Sequence, residues 1–213
     1  MSRKLQLGLK RLLDFATSGV VLVLLFPVLG LIAVAVRLFV GSPVFFAQER
    51  LGHRGKSFHI YKFRTMADTR DSSGQLLPDA QRLARLGRIL RRTSLDELPE
   101  LFNVLGGEMS LVGPRPLLAR YQNRYTPEQA RRHEAKPGIT GLAQISGRNA
   151  LGWEERFALD VWYVDHWNLW LDTKILVLTA WKVLRGEGIS QPGQATAEEF
   201  MGTARGVERT EGI

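Results

Sequence analysis

Three carboxylates, Asp96, Glu97 and Glu100, crowd the stretch TSLDELPEL at residues 93–101, just after Arg91 and Arg92 and not far before Arg115. Acids placed among arginines suit phosphate chemistry. A guanidinium grips phosphate oxygens in pairs. A carboxylate repels a diphosphate unless a hard cation such as Mg²⁺ bridges them, and once it is close enough it can attack phosphorus to give an acyl phosphate. A purely structural reading competes. Ser94-Leu95-Asp96-Glu97 fits the capping box in which serine and glutamate satisfy each other's amides. Leu95, Leu98, Leu101, Phe102 and Leu105 then recur at helical spacing until Gly106-Gly107 ends the run. On this reading the acids start a helix and suit the positive end of its dipole, and free amides at that end would attract phosphate.

Whatever holds these acids has few other chemistries to choose from. The 213 residues contain no cysteine, which excludes disulfides and thiolate metal sites. His53, His59, His133 and His166 never fall at metal-ligand spacing. No nucleophile elbow, Walker loop or dinucleotide fingerprint occurs. The length suits one domain with an ordinary core. With 29 Lys+Arg against 21 Asp+Glu, a net charge of +8, the partner should be anionic: nucleic acid, a membrane surface or a phosphorylated substrate.

Residues 15–36, FATSGVVLVLLFPVLGLIAVAV, decide for a membrane. They carry no charge, and as a helix they reach about 33 Å at ~1.5 Å per residue. A spanning helix, a cleaved signal peptide (Ala33-Val34-Ala35 resembles a cleavage site) and a helix that dips in and returns all fit the length. Pro27 falls near the middle and should break or bend the axis. Basic residues flank both ends, Arg3, Lys4, Lys10 and Arg11 before, Arg37, Arg50, Arg54 and Lys56 after. A spanning helix should have one depleted flank. Two basic flanks favour re-entry, with a kinked spanning helix as the rival. Phosphoryl transfer to or from something lipidic is the reaction class that follows.

Around the acids the chain should be α+β and mainly helical. Residues 43–66 read as a β-hairpin about Gly52–Gly55, and 67–78 as a mobile polar loop. Residues 79–92 form an amphipathic helix whose arginines face solvent, lipid headgroups or a phosphate. Met109–Val112 should be a short strand, 127–135 helical, and KPGITGLAQISGRN (136–149) a glycine-punctuated loop able to approach a ligand. Arg115 stands between Pro114 and Pro116, presented from stiff extended backbone. All five tryptophans come late. LWLDTKILVLTAWKVLR (169–185) reads as either a headgroup-layer helix or a core helix. From Gln191 the chain should be a loose tail.

Four pieces in register resemble one family. They are the basic start with its proline-broken helix, FFAQERLGHRGKSFHIYKFRTM, RRTSLDELPELFNVLGGEMSLVGPRPLL, and KPGITGLAQISGRNALGWEERFALDVWYVDHW. Together they resemble the monotopic phosphoglycosyl transferases, the bacterial sugar transferase family, in its minimal form. The resemblance implies a re-entrant membrane helix within residues 1–40 and a catalytic domain with interfacial helices over 41–190, with 191–213 as the tail. It implies transfer of a sugar 1-phosphate from a UDP-sugar to undecaprenyl phosphate on the cytoplasmic face of the inner membrane, with Mg²⁺ and with release of UMP. Asp96 and Glu97 match the family's catalytic pair, Asp96 as nucleophile and metal ligand. Arg115 matches the arginine of its PRP motif, and Lys62, Arg64, Arg92 and Arg148 are the other basic residues expected at the substrate phosphates. Phe26 departs from the serine that near relatives place before the proline. The segment SGRNALGWEERFALDVWYVDHW leans toward an N-acetylated amino sugar. A membrane-anchored polyprenyl-phosphate binder without chemistry is the alternative. A nucleic-acid binder is disfavoured because the aromatics sit among apolar neighbours.

Overall fold

The structure is a computed structural model that describes residues 2–147, 151–185 and 199–202. Its first element carries the apolar run. Helix α1 (Arg3–Phe39) starts at Ser2, whose side chain accepts from the Leu5 amide at 3.4 Å. Pro27 stays inside this helix and does not end it, so the expected break is at most a bend. Among the described residues α1 alone is long and apolar enough to cross a membrane, with a window of mean hydropathy 2.9 of which 17% is buried. The buried stripe (Leu22, Leu29, Ile32, Val36) packs on Phe63, Leu90 and Leu101, while Val23, Leu24, Phe26 and Leu31 on the other faces are bare.

The polar beginning of α1 is tied to the rest of the protein. Arg11 donates to the carbonyls of Val104 and Leu105 at 2.5 and 2.9 Å, at the carbonyl end of a later helix where a cation is favoured. Lys10 bonds Val112 O and Asp172, and buried Asp14 accepts from the Ser110 hydroxyl and the Leu111 amide. Lys10 and Arg11 are thus internal ligands of the fold, whereas the sequence suggested flanking charge. Removing the segment at a cleavage site near Ala35 would strip all these partners.

The hairpin forms as expected. Strands β1 (Phe45–Leu51) and β2 (Ser57–Phe63) pair antiparallel, with Gln48 opposite Ile60. Arg54 takes a left-handed conformation (φ 57°) in the connecting turn. Beyond β2 one expectation changes. Residues 67–78 fold back on themselves, with Asp71 Oδ1 accepting from Ser73 and Gln75 amides, each at 2.9 Å. The single helix expected over 79–92 is two, α2 (Asp79–Arg82) and α3 (Arg85–Thr93). Leu83 is extended between them because it bridges to Met66 and the next amide, of Ala84, bonds Thr65 O. Long-range backbone pairing outweighs the local helical pattern. Arg82 follows, donating to Ala67 O at 2.9 Å and closing this loop. At Gly87 helix α3 presses on the chain so closely that a Cβ would lie 2.0 Å from Thr65 O.

After α3 come a 3₁₀ turn (Leu95–Glu97), α4 (Glu100–Gly106) and β3 (Ser110–Val112). Helix α5 (Pro127–Ala130) has a full capping box from Thr126 and Gln129 and passes into a 3₁₀ turn, Arg131–Glu134. The expected loop 136–149 is partly ordered as β4 (Gly138–Thr140), parallel to β3, and α6 (Leu142–Ser146). Its glycines allow that pairing, since a Cβ on Gly138 would sit 2.1 Å from Gly113 N. Helices α7 (Trp153–His166) and α8 (Leu169–Arg185) close the fold. Trp170 and Trp181 on α8 are exposed while Ile175 is fully buried, so α8 has both an apolar outer face and a core face. Of the stretch expected to be loose, residues 199–202 are described, and Phe200 is buried against Tyr121, Tyr125, Trp153 and Phe157.

Asn103 joins hairpin to helix. Buried on α4, it accepts from the Tyr61 amide (3.2 Å) and donates to His59 O (2.8 Å) and Glu108 (2.7 Å). Asn103→Leu would leave two backbone groups of β2 unpaired, a loss of roughly 1–3 kcal/mol. Thermal unfolding in detergent should show a drop in Tm of several degrees, and an unchanged Tm would remove Asn103 as the link.

Candidate active site

Asp96 and Glu97 do not begin an α-helix, whereas Glu100 is the first residue of α4. Ser94 adopts a left-handed conformation (φ 57°) as the residue that caps the end of α3 and makes no side-chain cap bond. The capping box is therefore absent. Asp96 and Glu97 lie in the 3₁₀ turn, and α4 starts only after Pro99, which has no amide to offer a phosphate. The tight turn between two helices sends the neighbouring carboxylates into different surroundings.

Glu97 is the hub. Its Oε1 takes Lys62 Nζ from β2 at 2.6 Å and Arg115 Nη2 from the turn after β3 at 2.5 Å. Lys62 also reaches Glu100 at 3.0 Å. Burial would raise the Glu97 carboxyl, but Arg115 and Lys62 together hold it well below the usual range. Glu100, almost wholly enclosed, moves the other way, raised by burial and the Glu97 charge despite Lys62. Lys62 itself is pulled down by burial yet ends raised, because two carboxylates face it.

Asp96 differs. It is 8% exposed, and among the described residues its carboxylate makes no hydrogen bond or ion pair. Burial and the neighbouring Glu97 charge raise its pKa, against the longer-range pull of Lys62, Arg91 and Arg115. An anion kept partly desolvated and unpaired is a reactive one.

Arg50, Ile60, Lys62, Glu100, Arg115 and Pro116 line a shallow, open recess beside the acids. Arg50 looked like a charge flanking the membrane segment. Instead burial and Arg115 depress it to about 10 at this recess. The structure thus brings Asp96, Glu97, Lys62 and Arg115 together. Arg64 lies apart, paired with exposed Asp68 at 2.9 Å. Arg92 is exposed on α3 and makes no ion pair with the acids, and Arg148 lies outside the described residues. Sequence reasoning missed Arg50, Glu100 as a partner of Lys62, and Arg132 with Asp160. The alternation of β2 (Phe58, Ile60 inward) could have suggested that Lys62 shares the inward face. Nothing local marks the others.

The chain belongs to the bacterial sugar transferase family, whose model matches residues 5–186. A sugar transferase of Bacillus subtilis (strain 168), EpsL, is 59% identical over 92% of this chain and 96% of its own length. A UDP-glucose:undecaprenyl-phosphate glucose-1-phosphate transferase of Xanthomonas campestris pv. campestris is 43% identical over 82% of the chain but 38% of its own length. The undecaprenyl-phosphate galactose phosphotransferase of Salmonella typhimurium is 41% identical over 84% of the chain and 41% of its own length. The chain therefore spans about two fifths of these longer relatives.

The opposite environments of the two acids give opposite stability effects. The raised Asp96 destabilises the fold when ionised, so Asp96→Asn should raise Tm near neutral pH, and the gain should vanish below the ordinary aspartate range. The depressed Glu97 stabilises above the ordinary glutamate range, and that stability fades only as pH falls toward its depressed pKa. Glu97→Gln should lower Tm at neutral pH by the equivalent of roughly 1–3 kcal/mol. Melting curves of both variants against pH check the signs. Two shifts in the same direction would overturn this account of the site.

Proposed function

We propose that the chain transfers a sugar 1-phosphate from a UDP-sugar to polyprenyl phosphate, undecaprenyl phosphate in bacteria, releasing UMP and forming a polyprenyl-diphosphate-sugar. One observation carries the chemistry: a buried, unpaired Asp96 stands beside a Glu97 whose charge is already spent on Lys62 and Arg115. Two acids in one turn thus have separate tasks. Family membership and relatives named for undecaprenyl-phosphate glucose and galactose transfer support the substrate classes.

In this reading an Asp96 oxygen attacks the β-phosphorus. The bond from that phosphorus to the bridging oxygen breaks, and UMP leaves with the electron pair. A phosphate oxygen of the polyprenyl phosphate then attacks the same phosphorus and Asp96 departs as carboxylate. Arg115, its guanidinium partly exposed beside the recess, meets the diphosphate charge. Glu97 keeps Arg115 and Lys62 from closing on Asp96. Mg²⁺ fits as a partner of substrate more than of protein. Among the described residues no group of three or more acids and histidines could hold a metal, and of Asp96, Glu97 and Glu100 only Asp96 is without an ion pair. One carboxylate plus substrate phosphates is how Mg²⁺ is commonly bound, and it would neutralise diphosphate charge.

In our reading the protein sits in the bilayer by α1, bent at Pro27 so that both ends meet the cytoplasmic side of the inner membrane, and the bare apolar face of α1 and the exposed tryptophans of α8 support this reading. The sugar in our reading is an N-acetylated amino sugar, to be judged in a panel containing UDP-glucose and UDP-galactose. A non-catalytic polyprenyl-phosphate binder is the alternative and would release no UMP with any of them.

With UDP-sugar and Mg²⁺ but no lipid, the wild type should release UMP in at most stoichiometric amounts and carry phosphosugar on Asp96. Asp96→Asn should fold and release none. Substantial turnover by Asp96→Asn, or no UMP before lipid is added, would replace the covalent route by direct transfer. Arg115→Ala should lose about 100-fold in turnover, Arg88→Ala on the exposed face of α3 almost nothing, and equal activity of Arg115→Ala and wild type would remove it from the site. For topology, cysteines placed at residues 2 and 70 should label from the cytoplasmic side only. Pro27→Leu should shift some molecules toward spanning, and periplasmic labelling of Ser2→Cys with Pro27 intact would establish a spanning α1.

A further inference from the structure

The segment that presents Arg115 cannot hold itself. Pro114 and Pro116 have no amides, so the turn makes no ladder of its own. Its shape is fixed through its four carbonyls. Pro114 O accepts from the Gly138 amide at 3.0 Å, and Leu117 O from the Leu51 amide at 2.9 Å. These two are ordinary backbone bonds at the ends. In the middle both donors are arginine side chains: Arg132 Nη2 to Arg115 O at 2.8 Å, and Arg50 Nη1 to Pro116 O at 3.4 Å. By length, the Arg132 bond is the strong one.

Arg132 is itself immobilised. It is 3% exposed, and Asp160, equally buried on α7, takes both Nε (3.0 Å) and Nη2 (2.7 Å). Its guanidinium lies over the rings of Tyr125 and Phe157, 6.0 and 5.5 Å from their centroids. Phe200 closes that aromatic group from the far side, stacked on Tyr125 and edge-on to Phe157. Arg124 grips Glu199 and the Phe200 carbonyl, and Arg120 also binds Glu199.

We propose that Arg132, oriented by Asp160 and clamped by Phe200, is the positioning residue that fixes Arg115 at the reactive acids. The proposal rests on the transferase reading of the same site. Arg132 touches no substrate and acts through one carbonyl. A buried charge pair serving only stability would not need its third bond directed at the one residue that meets the diphosphate.

The test is a double-mutant cycle on UMP release in the full-length protein in detergent. Arg132→Lys keeps the charge but cannot bond Asp160 with two nitrogens and the carbonyl together. It should lower turnover about 10- to 100-fold, the scale of a roughly 1 Å misplacement. In an Arg115→Ala background the same change should cost less than about 2-fold, because nothing remains to be positioned. The milder Phe200→Leu should follow the same pattern with a smaller loss and stands in if Arg132→Lys does not fold. Equal losses in both backgrounds, or no loss in the wild-type background, overturn the proposal. A second readout does not depend on turnover. Phenylglyoxal should modify Arg115 several-fold faster in Arg132→Lys and Phe200→Leu, followed by peptide mapping. If the wild type releases no UMP, the transferase reading fails while this arm still decides whether Arg132 holds Arg115. An unchanged modification rate overturns the positioning role on its own.

Discussion

One carboxylate oxygen, Glu97 Oε1, holds the centre of this protein together. It is shared by a lysine from the hairpin and an arginine from the turn after β3, so three chain segments with no sequence proximity converge on it. Removing a partner from such a cluster leaves charge stranded in a half-buried place, which is more costly than the pairs are stabilising. The same arrangement leaves Asp96 unopposed. Had Lys62 or Arg115 closed on Asp96 instead, the pair would be as stable and no carboxylate of the turn would be left unpaired.

Support for that centre comes from both directions along the chain. From the N-terminal side, Arg11 holds the carbonyl end of α4 and Asp14 holds the start of β3, so the long apolar helix is a structural member of the catalytic part. From the C-terminal side, Asp160 and Asp172 anchor Arg132 and Lys10. Buried acids on α7 and α8 meet bases on remote elements, and each pair leaves one donor over for a backbone carbonyl, Arg115 O or Val112 O. The backbone around the site is thus pinned by side chains where the short strands β3 and β4 have too few ladder bonds to do so.

Much of this was legible in the residues. The hairpin, β3, the apolar stretch, α8, and the grouping of Asp96, Glu97, Lys62 and Arg115 follow from alternation, spacing and the resemblance. The misreadings share a cause. Ser94-x-x-Glu97 has the local pattern of a capping box, but both residues are claimed by tertiary geometry, Ser94 by the end of α3 and Glu97 by its two bases. Leu83 breaks a helical pattern because Met66 and Thr65 pair with that stretch. The glycines after Lys136 looked like a loop, yet they are small because two backbones run side by side there. Arg50, Arg132 and Asp160 escaped notice since their meaning lies wholly in partners distant in sequence.

Gly87 shows how far such geometry reaches. Thr65 O occupies the place where its Cβ would stand, so no other residue fits unless α3 lifts away. Helix α3 runs directly into the left-handed Ser94, and two residues later comes Asp96. A methyl group at position 87 would therefore act on the acids as a wedge at the far end of a short rod. Hydrogen atoms are the whole tolerance at that place, and the acidic turn inherits its location from a residue with no side chain at all.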